Sequence, residues 1–407
     1  MSTSTPQKTS TSTKIGVATA TIVGMNAMIG SGIFTAPAAL AADVGPAGIL
    51  AYFFVIPAVW FMALSIARLA QLFPEEGSFY IYTKQWAGHT FGMITVTAYF
   101  IGLLIAMGLL AQVAGIYLQV FFPSMSAYVL GIIVLWALVL LNMFGVALSK
   151  TGQHILIACT VFPLIATTII CLLNAKLSLL TPFAPHGYLS VLKATRIVIF
   201  GFFGFECAAS LFNIVKDPQK NVPKALTYSI GIVGIIYTLF VFSLITCIPT
   251  HLFGGALTAL SKTLGTVFPN HPWLITFIGI SMLSAVAGTI HSMIWSSSHL
   301  LTLIVKKVKS KSIAQVLKPA LKQKWAALVV GLGIFAACLG LKGAYVFFDL
   351  TAIFLVFAYT MSMITLLTIK EEWKSGQNVK TILGIITATI IVIFAVEGLI
   401  AEITKLF

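Results

Sequence analysis

The sequence predicts an all-α polytopic membrane protein of about 11 transmembrane helices, in which helices 1 and 6 are broken near their middles. Hydrophobic residues make up 59% of the 407-residue chain and charged residues only 8%, whereas soluble domains carry about 25% charged residues. Apolar runs of about 20 residues, the length that spans a bilayer, recur from end to end, and glycines interrupt two of them. These features exclude a soluble globular protein.

The apolar runs set the order of the predicted helices. The spans lie near residues 15–40, 46–70, 91–121, 127–148, 154–174, 194–215, 226–249, 272–304, 325–341, 345–369 and 380–402. Residues 1–14 are rich in Ser and Thr without an apolar core, so we expect a disordered cytoplasmic tail rather than a signal peptide. Residues 15–174 then form a first five-helix repeat, 194–369 a second, and 380–402 an additional C-terminal helix.

The net charge of +14 is interpreted as a topology signal rather than as a nucleic-acid-binding surface. With the tail inside, 18 of the 24 Lys and Arg residues fall on one side of the membrane. Because cytoplasmic loops are enriched in Lys and Arg, we expect a multi-pass protein of the plasma or inner membrane, with its N-terminus in the cytoplasm and its C-terminus outside. The densest cluster, KKVKSK at 306–311, is interpreted as a topology anchor; the alternative is a site for anionic lipid headgroups.

The stretch MIGSGIFTAP, residues 28–37, places Gly30, Ser31 and Gly32 inside the first span. Glycine costs about 1 kcal/mol in a helix interior relative to alanine, and unwound backbone in a membrane needs protein or a wet cavity to satisfy its polar groups. A ligand can fill that role, since the amides of Ser31, Gly32 and Ile33 would begin a half-helix able to bind a carboxylate. The alternative is close packing of small residues between helices.

The sixth span, IVIFGFFGFECAASLFNIV, has a comparable interruption at Gly201 and Gly204. Breaks in the first helix of each five-helix half are the pattern of inverted-repeat transporters. Glu206 follows the break inside an apolar span, which is costly and indicates function; burial disfavours its charged form unless it is paired. We expect it to gate transport or carry a proton, or else to be a structural acid. Phe200 and Phe203 either close over a substrate or simply pack.

The eighth span, which contains SMLSAVAGTIHSMIWSSSHLL, is unusually polar for a membrane helix. Thr289, His291 and Trp295 are therefore secondary candidates for a substrate pocket, although a buried histidine is more often a core residue than a proton relay. The seven histidines and five cysteines show no spacing typical of a metal site. We expect no metal, no cofactor, no nucleic acid partner and no enzymatic centre.

Three segments together resemble the amino acid–polyamine–organocation (APC) permeases. MNAMIGSGIFTAPAAL resembles their first helix, and FGFFGFECAASLFNIVKDPQKNVPKAL resembles their sixth helix and the loop after it. FPEEGSFYIYTKQWAGHTFG is similar to their Pro-x-x-Gly-Gly-x-Tyr-x-Tyr segment, with Ser78 in place of the second glycine. The resemblance implies a leucine-transporter-type fold with a 5+5 inverted repeat and alternating access, nearest to the antiporter-type members.

The resemblance also implies roles for residues at the two breaks. The first break would bind the carboxylate of an amino acid, and carbonyls of both breaks would bind its α-amino group. The carboxylate residues are Ser31, Gly32 and Ile33, and the carbonyl residues are Met28, Ile29, Phe200 and Phe203. Phe200 stands where some arginine/agmatine-type exchangers have a gating tryptophan, which weakens recognition of a guanidinium, and Glu206 matches their gating acid.

Two departures qualify the resemblance. Most relatives have twelve spans, one more than this sequence predicts, which bears on dimer contacts rather than on the two repeats. In some proton-coupled relatives a lysine of the fifth helix lies three residues before a proline, where this chain has Thr160 before Pro163. The second departure favours exchange over lysine-based proton coupling.

We therefore predict a secondary active transporter that moves an amino acid, or exchanges it for an amine, by alternating access. A polyamine or organic-cation permease is the alternative within the class, but Glu206 is the only acid well inside a predicted span, since Asp349 and Glu397 lie near helix ends. A membrane nutrient sensor that binds without transporting is the alternative from another class. The expected partners are a small-molecule amino acid or amine and membrane lipids, and a homodimer is left open.

Overall fold

The computed structural model describes residues 14–74, 78–145, 150–207, 215–310, 315, 318–374 and 376–405. These residues fold almost wholly into helices, since helices satisfy their own backbone polar groups in an apolar surrounding. The α-helices are α1 (Val17–Met28), α2 (Gly32–Asp43), α3 (Leu50–Leu72), α4 (Ser78–Phe121), α5 (Ala127–Met143), α6 (Lys150–Leu173), α7 (Leu189–Lys193), α8 (Thr195–Phe200), α9 (Pro218–Cys247), α10 (Leu260–Val267), α11 (Trp273–Lys307), α12 (Gln323–Gly340), α13 (Ala344–Thr368), α14 (Lys370–Lys374) and α15 (Gln377–Thr404). Single 3₁₀ turns lie at Pro46–Ile49, Leu177–Leu180, Thr250–Leu252 and Lys318–Leu321.

Eight of the described helices are long and apolar enough to cross a membrane, and α1 with α2 makes a ninth span bent by 48°. The eight are α3, α4, α6, α9, α11, α12, α13 and α15. Helix α5 is apolar but has 17 residues, about 26 Å at 1.5 Å per residue, and α8 stops after six residues at the second break. Helical structure therefore lies at every predicted span, and the all-α polytopic fold is confirmed.

Helix boundaries differ from the prediction mainly where a helix extends past its apolar run. Helix α4 begins at Ser78 rather than near residue 91, and Gly88, with φ 76°, divides it into a short first segment and a long second one. Helix α9 begins at Pro218 rather than near residue 226, because proline is well suited to a first helical turn. Residues 1–13 of the predicted tail and 208–214 of the predicted sixth span lie outside the described residues.

The centre of the bundle is formed by helices whose side chains are mostly buried. In the most apolar window of Phe79–Phe121, 67% of the residues are buried, against 28% in His154–Leu173 and in Gln377–Thr404. Helix α4 packs against α13, which packs in turn against α15. Because α6 and α15 expose apolar side chains on their outer faces, these two helices have the composition of a lipid-facing surface.

The ends of the helices define two sides of the bundle. On the near side, where the described chain begins, the N–H of Lys216 donates to the carbonyl of Ile15 at 2.9 Å, which joins the segment before α1 to the segment before α9. On the far side, the end of α2 meets the starts of α8 and α13 through the ion pairs of Arg196 with Asp43 and Asp349. Both breaks lie between these two layers of contacts.

Candidate functional site

The first break leaves several hydrogen-bonding groups of the backbone unpaired. Helix α1 ends at Met28 and α2 begins at Gly32, and the N–H of Gly30 turns back to the carbonyl of Met28 at 2.9 Å. The amides of Phe34 and Thr35 donate to the carbonyl of Ser31, whereas those of Gly32 and Ile33 come too early in α2 to have a partner within it, and they form the positive end of its dipole. The hydroxyl of Ser31 is fully buried and has no hydrogen-bond partner among the described residues. Unpaired amides beside a buried hydroxyl can bind an anion.

The second break is held directly against the first by glycines. A Cβ on Gly32 would lie 2.5 Å from the Cα of Gly201, and a Cβ on Gly204 would lie 2.4 Å from the carbonyl oxygen of Ala27. Gly204 also has φ 105°, a conformation that disfavours other residues. The chain turns through residues 201–205 because glycine alone permits both this backbone angle and this approach of two backbones.

Tyr237 of α9 joins the two breaks through its hydroxyl. Its oxygen lies 3.1 Å from the carbonyl oxygens of both Met28 and Gly201, which share its single proton. The carbonyl of Met28 therefore accepts from Gly30 and Tyr237 together, which uses both of its lone pairs. Sequence reasoning missed Tyr237, and the only signal was a tyrosine inside an apolar span, whose hydroxyl needs a partner.

Glu206 lies just after the second break and accepts hydrogen bonds from three elements. Tyr99 of α4 donates to its Oε1 at 2.7 Å, Tyr359 of α13 donates to its Oε2 at 2.9 Å, and the N–H of Gly204 donates to Oε2 at 3.1 Å. These three donors can satisfy an ionised carboxylate, and a protonated carboxyl group could instead donate to one of the tyrosine oxygens, since a phenolic hydroxyl also accepts. Glu206 thus joins the second break to two central helices, α4 and α13.

Aromatic and aliphatic side chains form the apolar wall beside the breaks. Phe200 is buried next to Gly32, with ring centroids 6.3 Å from Phe203 and 5.1 Å from Phe348, both in edge-to-face geometry. Leu110 of α4 approaches Gly30, where an added Cβ would lie 3.5 Å from the leucine side chain. An uncharged side chain of a ligand would therefore meet apolar surroundings here.

The polar eighth span contributes only one of its three candidates to the breaks. Thr289 donates to the carbonyl of Ile29 at 3.3 Å. His291 lies on the opposite face of α11, where its Nδ1 is 3.0 Å from the amide nitrogen of Asn142. Trp295 is 52% exposed and packs against His299. With 3.6 residues per turn, positions 289, 291 and 295 cannot share one face, so the structure brings neither His291 nor Trp295 to the breaks.

An ion-pair network joins three helices on the far side of the breaks. The guanidinium Nη1 of Arg196, at the start of α8, lies 2.6 Å from both carboxylate oxygens of Asp349, which is fully buried. Arg196 also pairs with Asp43 at 3.7 Å, and the hydroxyl of Tyr345 donates to Asp43 at 2.9 Å. Gly398 of α15 makes room for the pair, since a Cβ there would lie 2.6 Å from Arg196 Nη1.

Among the described residues, no group of three or more His, Cys, Asp or Glu side chains could hold a metal ion. The polar groups that converge at the breaks are amides, carbonyls, hydroxyls and the single carboxylate of Glu206. This set can hold a small polar ligand by hydrogen bonds on one end and apolar contacts on the other.

Comparisons with known proteins match most of the chain. A family model described as amino acid permease matches residues 15–403. An uncharacterized transporter of Mycobacterium tuberculosis (strain ATCC 25618 / H37Rv) is 25% identical over 339 residues, covering 81% of this chain and 75% of its own length. A branched-chain amino acid permease of Bacillus subtilis (strain 168) is 25% identical over 295 residues, covering 68% and 62%. A probable GABA permease of Pseudomonas aeruginosa is 24% identical over 319 residues, covering 74% and 66%.

One solved structure resembles the chain in fold. A Na⁺-coupled sialic acid symporter in a substrate-bound, outward-open state has a TM-score of 0.63 and 13% sequence identity, covering 94% of this chain and 89% of that chain. At this identity the likeness concerns the fold alone. It confirms the expected leucine-transporter-type arrangement of helices.

Proposed function

Since the chain belongs to the amino acid permease family, we propose that it carries a neutral amino acid across the cytoplasmic membrane by alternating access, with the substrate held between the two helix breaks. The observation that carries the proposal is the first break itself. Ser31 has a buried hydroxyl without a partner, next to amides of α2 that have none within their helix. A substrate carboxylate satisfies these groups at once.

The substrate carboxylate is assigned to Ser31, Gly32 and Ile33. Three N–H or O–H donors at the positive end of α2 would each form a charge-assisted hydrogen bond, which is about twice as strong as a neutral one. Binding also removes the cost of leaving these groups buried without partners, about 1–3 kcal/mol for each. This assignment explains why a helix in an apolar protein is interrupted at this position.

The α-amino group is assigned to carbonyls at the two breaks. Ile29, Phe200 and Phe203 are the preferred acceptors, because the carbonyl of Met28 already accepts two hydrogen bonds. The carbonyl of Met28 becomes available to the α-amino group only if the Tyr237 side chain rotates away. Tyr237 therefore acts as a placeholder that satisfies the carbonyls of Met28 and Gly201 when no amine is bound.

The side chain of the substrate is proposed to be uncharged and apolar. Phe200, Phe203 and Leu110 surround the breaks, and the carboxylate of Glu206 is already engaged by three donors. A dicationic polyamine would lack the acids it needs. The name of the Bacillus subtilis relative, a branched-chain amino acid permease, agrees with such a substrate.

Alternating access is proposed to proceed by the alternate opening of a far-side gate and a near-side gate. Arg196 and its two carboxylates join α2, α8 and α13 on the far side, and Glu206 joins the second break to α4 and α13 below the substrate. Binding of substrate pulls the two breaks together, which shifts the balance between the gates. Thr160, in place of a lysine, supports exchange rather than lysine-based proton coupling, and we propose no enzymatic role.

The near-side lysines and the two helix breaks support a proposed membrane orientation and a division of the chain into two repeats. The near side carries Lys306, Lys307 and Lys309, so we propose that it is cytoplasmic. The two repeats are assigned to residues 15–174 and 194–369, each beginning with a broken helix, and α15 lies outside both. In this arrangement the described C-terminal end of α15 lies outside the cell.

The proposal is tested by ligand-dependent thermal unfolding of the purified protein. A ligand that binds the folded state raises its stability by an amount set by its occupancy, about 2.7 kcal/mol at a concentration of 100 times Kd. We expect leucine, valine or another neutral amino acid to raise the unfolding temperature and the matching decarboxylated amine to leave it unchanged. Equal stabilisation by the amine would contradict the carboxylate site.

A further inference from the structure

A crevice with apolar walls and a basic rim lies on the near side, away from the two breaks. It is a shallow surface crevice between α4 and α11, where Met93 and Val96 face Leu300 and Ile304. Tyr80 and Lys307 complete its lining. The crevice therefore offers aliphatic walls along two membrane helices and an aromatic ring with a cation beside them.

Lysine side chains place positive charge at the rim of the crevice. The Nζ atoms of Lys84 and Lys307 lie 5.9 Å and 5.5 Å from the ring centroid of Tyr80, and Lys309 follows two residues later in the chain. None of the ion pairs found among the described residues includes these lysines. The hydroxyl of Tyr80 is 2.9 Å from His89 Nδ1, so the ring that positions both lysines is itself fixed.

We propose that this crevice binds an anionic phospholipid, with an acyl chain between α4 and α11 and the phosphate against Lys84 and Lys307. The aliphatic walls favour a lipid over a free phosphate ion, which gains nothing from them. These lysines, which form no ion pair within the described part of the chain, favour an anionic headgroup over a zwitterionic one, by about 1 kcal/mol for each basic residue near the surface, or about fivefold in affinity.

The crevice is connected to Glu206 through packed side chains. An effect of lipid binding on transport, inferred from this connection, rests on the proposed function. Phe79 precedes Tyr80 in the same helix and packs on Tyr99 and Tyr359, with ring centroids 4.2 Å and 5.7 Å away. Those two tyrosines are the side-chain donors to Glu206. A lipid that holds Tyr80 in place also holds Phe79 against the gate, so we expect an anionic lipid to raise the transport rate.

Lipid binding is measured directly by native mass spectrometry of the delipidated full-length protein, titrated with phosphatidylglycerol or phosphatidylcholine of the same chains. We expect phosphatidylglycerol to bind more tightly, and the Lys84→Gln/Lys307→Gln variant to lose about 25-fold in affinity for it. The control is Lys220→Gln/Lys224→Gln, two exposed lysines at the start of α9 on the same side. Equal affinity for the two lipids, or an unchanged affinity in the first variant, would overturn the proposal.

A second pair of measurements separates the lipid from its headgroup. The Leu303→Trp variant fills the crevice without changing its charge, so it should weaken both lipids alike. Inorganic phosphate added to the protein in phosphatidylcholine nanodiscs should not raise the unfolding temperature. Protection by phosphate together with normal lipid binding by Leu303→Trp would show an ion site instead of a lipid site.

The coupling to transport is tested in proteoliposomes with and without phosphatidylglycerol. The coupling is supported if the anionic lipid speeds uptake by the wild type but not by Lys84→Gln/Lys307→Gln. Lipid binding without faster uptake keeps the site and overturns the coupling. A wild-type protein that transports but shows no preference for phosphatidylglycerol overturns the site and leaves the proposed function standing, so the two failures are distinct.

Discussion

At the scale of single residues, the two glycines of the first break differ in the space around them. A Cβ on Gly30 would meet Leu110 and Thr289 at 3.5 Å, which is ordinary van der Waals contact. A Cβ on Gly32 would lie 2.5 Å and 2.9 Å from backbone atoms of Gly201, which cannot move aside like a flexible side chain. The close approach of the two breaks therefore depends on Gly32.

Replacing Gly32 by alanine should abolish uptake while the protein still inserts into the membrane. Forcing the breaks apart costs about 1–3 kcal/mol by the usual penalty for overpacking, and it displaces the amides assigned to the carboxylate. Radiolabelled uptake in proteoliposomes measures the effect. The matched control is Gly231→Ala in α9, where an added Cβ meets nothing within 4 Å. Normal uptake by Gly32→Ala would contradict the assignment of the substrate carboxylate to the first break.

Glu206 is the second residue whose chemistry is testable by itself. Its carboxyl group accepts from Tyr99, Tyr359 and Gly204, and protonation must either reverse the direction of a tyrosine hydrogen bond or break one of these bonds. Glu206→Gln has no titrating group, so we expect the pH dependence of uptake to flatten. Tyr99→Phe should weaken the same junction but keep the pH dependence, since the carboxyl group remains. A pH profile of Glu206→Gln that matches the wild type would leave Glu206 a structural acid.

At the scale of elements, the far-side network holds three helices at one point. Arg196 begins α8, Asp349 lies in the first turns of α13, and Asp43 ends α2. Asp349 is fully buried, so its charge depends on Arg196. These residues are far apart in the chain, and the sequence showed Asp349 only as an acid near a helix end.

Breaking this network should destabilise the protein and open its far side. Arg196→Gln leaves Asp349 buried without a cation, which costs about 3–5 kcal/mol. The control is Lys193→Gln, whose ion pair with Glu397 is exposed and contributes less than about 1 kcal/mol. Thermal unfolding in detergent should show a lower midpoint for Arg196→Gln alone. Equal midpoints for the two variants would mean that the network does not hold the helices together.

The elements also mark the limit of what the sequence could predict. Apolar length located each span and glycine located each break, because both depend on local composition. Tyr237, Tyr99 and Tyr359 could not be assigned, since each acts on a residue more than 100 positions away or across a break whose geometry is tertiary. Trp295 was predicted for the pocket from the polarity of its helix, although helical periodicity alone places it on a different face from Thr289.

At the scale of the whole molecule, the site lies where two broken helices touch between a far-side and a near-side layer. The order of the spans, the two breaks and Glu206 were all predicted from the sequence. The contact of Gly32 with Gly201 was not, because it depends on how the two halves pack. That contact brings the two helix breaks together into one site. The same packing of the bundle places Phe79 between the near-side crevice and the tyrosines that bind Glu206.

In the proposed mechanism, the site between the two breaks carries a neutral amino acid by holding its carboxylate. The most direct measurement is the flux of labelled leucine or valine into proteoliposomes that contain the wild-type protein and are preloaded with the unlabelled amino acid. We predict flux that depends on the internal amino acid and that is inhibited by external free amino acid but not by its methyl ester, which lacks the carboxylate. Binding without flux, or equal inhibition by the ester, would contradict the account.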